Sequence, residues 1–280
     1  MGGSMYCLFC KSITAESRSI EHIIPESLGN TEHILPVGFV CDRCNNYFSR
    51  EVEGPLLDTP YFRHFRYSAL IKNKKGYPPR IRGLHIQSLV RVDFFPDMDG
   101  SGPSIGAAYL HDETRLTDSL ASSNCGTFIA LVPTEPCDRL VSRFLAKVAI
   151  EALALRCPHH NPELVDSEIV HNKQFDPLHD YARRGSTDLW PFQKRKIYPP
   201  DHIFTEPGFE PHTILHEWTF LYTSQLELYF ILALFGTEYV LNMGGRDIAG
   251  YAAWLLENAQ KSPLYPRMQS TSSGDVPIGG

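Results

Sequence analysis

The sequence lacks any apolar run of the roughly 18 residues that a membrane-spanning helix needs. Its longest candidate, Leu226 to Phe235, is broken by Glu227. It has no internal repeat, and neither sign of charge dominates: 26 Lys and Arg stand against 32 Asp and Glu over 280 residues, a net charge of −6. With 42% hydrophobic and 21% charged residues, a disordered tail, a collagen-like repeat and a coiled coil are excluded. The opening MGGSM is too short and polar for a signal peptide, and Met5 reads as the native start. A cytoplasmic protein with no membrane partner is expected.

Cysteine is scarce and unevenly placed. Of seven, four form two CxxC pairs near the start, Cys7 with Cys10 and Cys41 with Cys44, while Cys125, Cys137 and Cys157 are isolated. An odd total without a secretion signal argues against a disulfide framework. Two CxxC turns about thirty residues apart instead predict a four-cysteine Zn²⁺ site, in which the paired thiolates complete a tetrahedron. With sulfur at all four positions no place is left for water, so the zinc would be structural. Four reduced core cysteines are the plain alternative.

Between the pairs lies Glu21-His22-Ile23-Ile24-Pro25, and the second pair is followed at once by Asn45-Asn46. Glu21 and the Asn45 side-chain oxygen would hold a divalent cation such as Mg²⁺ or Mn²⁺, since oxygen donors suit hard cations. His22 would be the general base that deprotonates an attacking water, because imidazole titrates near neutral pH. Glu51 and Glu53 could add a carboxylate but read more readily as a solvated helix face. His33 could be a further ligand or phosphate contact.

The run Cys7-x-x-Cys10, Glu21-His22-Ile23-Ile24-Pro25, Cys41-x-x-Cys44-Asn45 resembles the HNH (His-Asn-His) endonucleases with a zinc-stabilised ββα-metal fold. The resemblance covers residues 5 to 58 or so. It implies that His22 is the general base, that Glu21 and Asn45 are metal ligands, and that DNA is cut to 5′-phosphate and 3′-hydroxyl ends. It also implies that His22 sits on a hairpin strand and that a helix starts near Asn45, with Tyr47, Phe48 and Val52 facing the hairpin. The family's middle asparagine is displaced here: Leu35-Pro36 stands in its place, the nearest candidate is Asn30, and the loop-bracing role is unassigned.

Acids are absent altogether between Asp58 and Asp93. That stretch carries Arg63, Arg66, Lys72, Lys74, Lys75, Arg80 and Arg82 among aromatics, a pattern suited to tracking phosphates and stacking on bases. Beyond it, residues 84 to 95 read as one strand, 100 to 106 as a turn and 126 to 132 as a buried strand. Asp138 opens an amphipathic helix through Val141, Phe144, Leu145, Val148, Ala152 and Leu155. Residues 157 to 210 read as a long irregular excursion. Strands follow at 214 to 222, 226 to 235 and 237 to 242, then a helix at 247 to 260. A second metal site from Cys157, His159, His160, His171 and His179 fits no standard spacing.

The expected class is α+β, with a nuclease domain over 5–80 and a second α+β domain over 81–280 for regulation, specificity or dimerisation. A metal-dependent endonuclease in phage defence or a mobile element is the leading expectation, acting on DNA with RNA not excluded. A homodimer and an activating ligand or partner for the second domain are part of it. Two alternatives remain open: a zinc-knuckle protein that binds nucleic acid without cutting, and a sensor or interaction protein acting through its C-terminal part.

Overall fold

The computed structural model describes residues 5–265 except 74, 99–101, 123–125, 186, 187, 206, 207 and 209, so Lys74 and Cys125 lie outside the described residues. Two very short strands, β1 (Glu21–His22) and β2 (Ile34–Leu35), pair antiparallel with Glu21 opposite Leu35 and His22 opposite Ile34. The loop between them makes one 3-10 turn at Glu26–Leu28. It then reverses at Gly29, whose φ of +88° is a left-handed conformation that a side chain would strain.

Helix α1 (Asp42–Phe48) passes through a π turn at Ser49–Glu53 into α2 (Gly54–Leu57), and α3 (Pro60–Ser68) follows with Thr59 capping its N-terminus. Phe48 and Val52 are fully buried. Tyr47 turns elsewhere: its hydroxyl accepts from Arg143 at 2.9 Å.

Next comes a small antiparallel sheet of β3 (Ile81–His85), β4 (Val90–Phe95), β5 (Ser104–Ala107) and β6 (Phe128–Ala130), in the order β5-β4-β3-β6. Helix α4 (Glu113–Ser122) lies between β5 and β6 in the chain. Three expectations fail here. Residues 84–95 are a hairpin rather than one strand, because His85 Nδ1 and Ser88 Oγ meet at 2.7 Å and Leu89 takes a positive φ. The expected turn at 100–106 runs into β5. The expected buried strand at 126–132 is an exposed edge, with Leu131 61% and Val132 85% accessible.

Helix α5 (Asp138–Arg156) is the hub of the molecule. Buried side chains surround it, including Val141, Phe144, Leu145, Val148 and Ile150, each worth about 1.5–3 kcal/mol. It packs against β2, the π turn, α2 and α7 (Asp176–Arg184), which follows the short α6 (Pro162–Val165). Among its described residues the expected irregular excursion therefore holds the α-helices α6 and α7, and also β7 (Phe192–Lys196).

The second large sheet has the order β7-β10-β9-β8, with β8 (His216–Tyr222), β9 (Leu228–Leu234) and β10 (Thr237–Asn242) as the periodicity predicts. Alternate β9 residues Phe230 and Leu232 face the main core, while Tyr229 and Ile231 face α8 (Ala249–Glu257). The architecture is α+β. One apolar core runs from Cys7 through α5 to Met243, so residues on both sides of position 80 share an interior. Among the described residues no helix is long and apolar enough to cross a membrane.

Candidate active site

Cys7 and Cys10 sit on the turn closed by a bridge between Tyr6 and Ile13, Cys41 is the N-cap of α1, and Cys44 lies in its first turn. Their four sulfurs lie within 4.8 Å of one another, and the Sγ atoms of Cys10 and Cys41 are 3.6 Å apart. A tetrahedron of Zn–S bonds of about 2.3 Å has S–S edges of about 3.8 Å, so the donor set fits Zn²⁺. The Cys41 amide and Arg183 Nε donate to Cys7 Sγ and Cys44 Sγ, each at 3.4 Å, which favours thiolates. No second cluster of metal-ligating groups occurs among the described residues, so the set of Cys157, His159, His160, His171 and His179 does not assemble.

The knuckle sets α1 against β1. Asn45 donates from Nδ2 to the Ile20 carbonyl at 3.1 Å, and no hydrogen bond to its Oδ1 occurs among the described residues. Glu21, His22, Asn45 and Glu53 all line one pocket of about 250 Å³. His22 Nδ1 is buried there and has no hydrogen-bond partner. Glu51 is exposed and paired with Arg50, whereas Glu53, read from the sequence as solvated, turns inward. The donor chemistry of these oxygens and the imidazole suits a hard divalent cation, but Glu21, His22 and Glu53 do not converge as tightly as the four sulfurs do. His33 is not part of this pocket; its ring packs against those of His216 and Trp218, and burial lowers its pKa.

Sequence reasoning missed the groups beneath the pocket. Lys147 of α5, fully buried, lies 2.5 Å from Glu21 Oε1, 2.6 Å from Glu53 Oε1 and 2.9 Å from Glu151 Oε2. Burial pushes the Glu21 carboxyl up and Lys147 pulls it back. Burial also raises Glu151 well above its ordinary range, with Glu21 adding to it. Burial disfavours the Lys147 ammonium, but the three carboxylates outweigh it and hold its pKa well up.

The loop brace is Asn30, fully buried, which bonds the backbone at Ile24, Glu32 and His33.

Among the basic residues, Arg63, Arg66, Arg80 and Arg82 line one cleft of about 710 Å³ together with Tyr77. Asp58 lines this cleft, and its neighbour Leu57 lines the His22 pocket. Arg66 is 6% exposed and its Nε has no partner, and burial lowers its pKa. Arg63 pairs with Asp58 at 3.2 Å and Arg80 with the buried Asp93 at 2.9 Å, while Lys72 and Lys75 are exposed outside the cleft.

Residues 7–60 match the model of a family described as HNH endonuclease. No curated protein and no solved structure matches the chain.

Proposed function

We propose that the chain is a metal-dependent endonuclease that hydrolyses phosphodiester bonds in DNA. The observation that carries this reading is the gathering of Glu21, His22, Asn45 and Glu53 in one pocket beside the four-cysteine knuckle, within the segment that matches HNH endonucleases. Glu21, Asn45 and Glu53 would hold a divalent cation, Mg²⁺ or Mn²⁺, through oxygen. When bound, the cation neutralises charge on the phosphate oxygens and the leaving group.

His22 takes the proton from a water whose oxygen attacks phosphorus. The bond from phosphorus to the 3′-oxygen breaks, and that oxygen takes a proton from solvent water to leave as a hydroxyl. His22 lines the pocket beside Glu21, Asn45 and Glu53, which sets its imidazole next to the oxygen donors. Asn45 is tied to the backbone of Ile20, just before Glu21 and His22, which keeps the base and the oxygen donors in one register. The arginine cleft beside Leu57 would carry the flanking phosphates.

In this reading the protein works in the cytoplasm, in phage defence or a mobile element. The part after residue 80 supplies specificity, dimerisation or response to an activating ligand. The test is nicking of supercoiled plasmid with Mg²⁺ or Mn²⁺, comparing the chain with His22→Ala at equal zinc content. Loss of cutting with retained DNA affinity supports the nuclease. Equal binding and no cutting by either protein, on duplex, single strands or RNA, favours a zinc-knuckle binding protein.

A further inference from the structure

The acid of the pocket is gripped from far along the chain. Lys147 follows Ala146 and precedes Val148 on α5, among fully buried apolar neighbours, and a hydrophobic residue would fill such a position without the cost of desolvating a charge. Its presence calls for a reason beyond packing.

The contacts supply one. Lys147 binds only Oε1 of Glu21 and only Oε1 of Glu53. Among the described residues no hydrogen bond reaches the Oε2 atom of either, and both residues line the His22 pocket while Lys147 and Glu151 do not. Nζ also reaches the His22 carbonyl at 3.4 Å, so the same ammonium touches the backbone of the candidate base. An ammonium has three protons, and here they hold two pocket acids and the strand that carries His22.

We propose that Lys147 is a positioning residue of the metal site: bound to Oε1 of Glu21 and Glu53 from the buried side, it presents their other oxygens to a divalent cation in the His22 pocket, with Glu151 as its own counter-charge. This rests on the metal-dependent reading of the same pocket given above. Partners that orient ligating carboxylates typically carry 10–100-fold in metal affinity.

The experiment is Mn²⁺ binding to the zinc-loaded full chain without DNA, read by electron paramagnetic resonance. Lys147→Met alone strands three buried carboxylates, so Lys147→Met/Glu151→Gln is the principal variant. We expect Mn²⁺ affinity to fall about 10–100-fold with one zinc per chain and a cooperative melt retained. Unchanged or tighter Mn²⁺ binding in the folded double variant overturns the proposal, because a lysine that merely packs, or that competes with the cation, gives that result.

Should the variants not fold, the wild-type chain decides. Lys147 must stay protected from amine acylation when Mn²⁺ saturates the pocket, and its labelling only in the Mn²⁺-bound form, seen by mass spectrometry, overturns the proposal. Failure here is separable from failure of the nuclease reading. A chain that cuts DNA with Lys147-independent Mn²⁺ affinity loses only this inference, and one with Lys147-dependent Mn²⁺ affinity that never cuts loses only the nuclease.

Discussion

Asn30 donates from Nδ2 to the Ile24 carbonyl at 2.7 Å, tying the end of the loop that leaves β1 to its start. The same amide donates to the His33 carbonyl at 3.0 Å, and its Oδ1 accepts from the Glu32 and His33 amides at 3.1 and 2.9 Å. Every hydrogen-bonding site of the side chain is used, in a place with no solvent access. Asn30→Ala would leave the Ile24 carbonyl and the Glu32 and His33 amides without these partners, while the His33 carbonyl still accepts from the Ile23 amide. At about 1–3 kcal/mol for each buried group left so, we expect a loss of roughly 3 kcal/mol in urea melts. Asn30→Asp should be no better, since it sets an oxygen against two carbonyls; an Asp variant as stable as wild type would refute this bracing role.

The site was legible where neighbours in sequence are neighbours in space. Glu21-His22 and Cys41 to Asn45 are local words, and α5 and strands β8 to β10 follow from periodicity. Lys147 was not legible, because 126 residues separate it from Glu21 and a single lysine on a helix reads as solvated. A signal was present even so. Apolar residues surround α5 on all sides, so the Lys147 and Glu151 pair, four apart, has no solvent face to occupy. Asn30 was the nearest candidate for the brace, but its role stayed unassigned because it lies further back than the family's pattern places it. The 84–95 hairpin was hidden because its turn uses Ile86 to Leu89 with no Gly, Pro, Asn or Asp. The exposed 126–132 segment shows that an apolar run alone does not specify burial.

Removing zinc should unfold more than the knuckle. Cys7 and Cys44 are fully buried in the same core as α5. Structural zinc sites contribute about 10–16 kcal/mol at pH 7 in small peptides, comparable with the roughly 5–15 kcal/mol total stability of a domain. Cys44→Ser, or a strong chelator, is therefore expected to abolish the cooperative melt followed by circular dichroism. Metal analysis should find one zinc per wild-type chain and none in the variant. An apo chain melting where the zinc-loaded chain does would sink this.

The arginines of the cleft should separate by their partners. Arg82 has no ion pair among the described residues, so Arg82→Ala should weaken DNA binding without moving the melting temperature. It should also lower the slope of log K against log salt by about 0.9, one phosphate contact on duplex DNA. Arg80 neutralises Asp93, which is 2% exposed and whose Oδ1 already lacks a partner. Arg80→Ala should therefore lower both DNA affinity and thermal stability. Salt titrations of binding beside melts of both variants give the comparison, and an unchanged slope for Arg82→Ala would remove the cleft from the DNA path.

Stability should carry a pH signature from Glu217 on β8. Burial lifts its carboxyl to about 7, while the Tyr198 hydroxyl, donating to Oε1 at 2.8 Å, pulls it down; Tyr265 donates to the same oxygen. A folded-state pKa above the unfolded value of 4.5 means that the native chain binds this proton more tightly. Its contribution is then fully present below about pH 4.5 and is lost as pH rises to about 7, where the buried group must ionise. Glu217→Gln keeps an oxygen for both tyrosines and removes the ionisation. The melting temperature of the variant relative to wild type should therefore be more favourable at pH 8 than at pH 5. A difference that is flat across this range, or reversed, would place the Glu217 carboxyl near its ordinary pKa and break the link between its burial and the stability of the sheet.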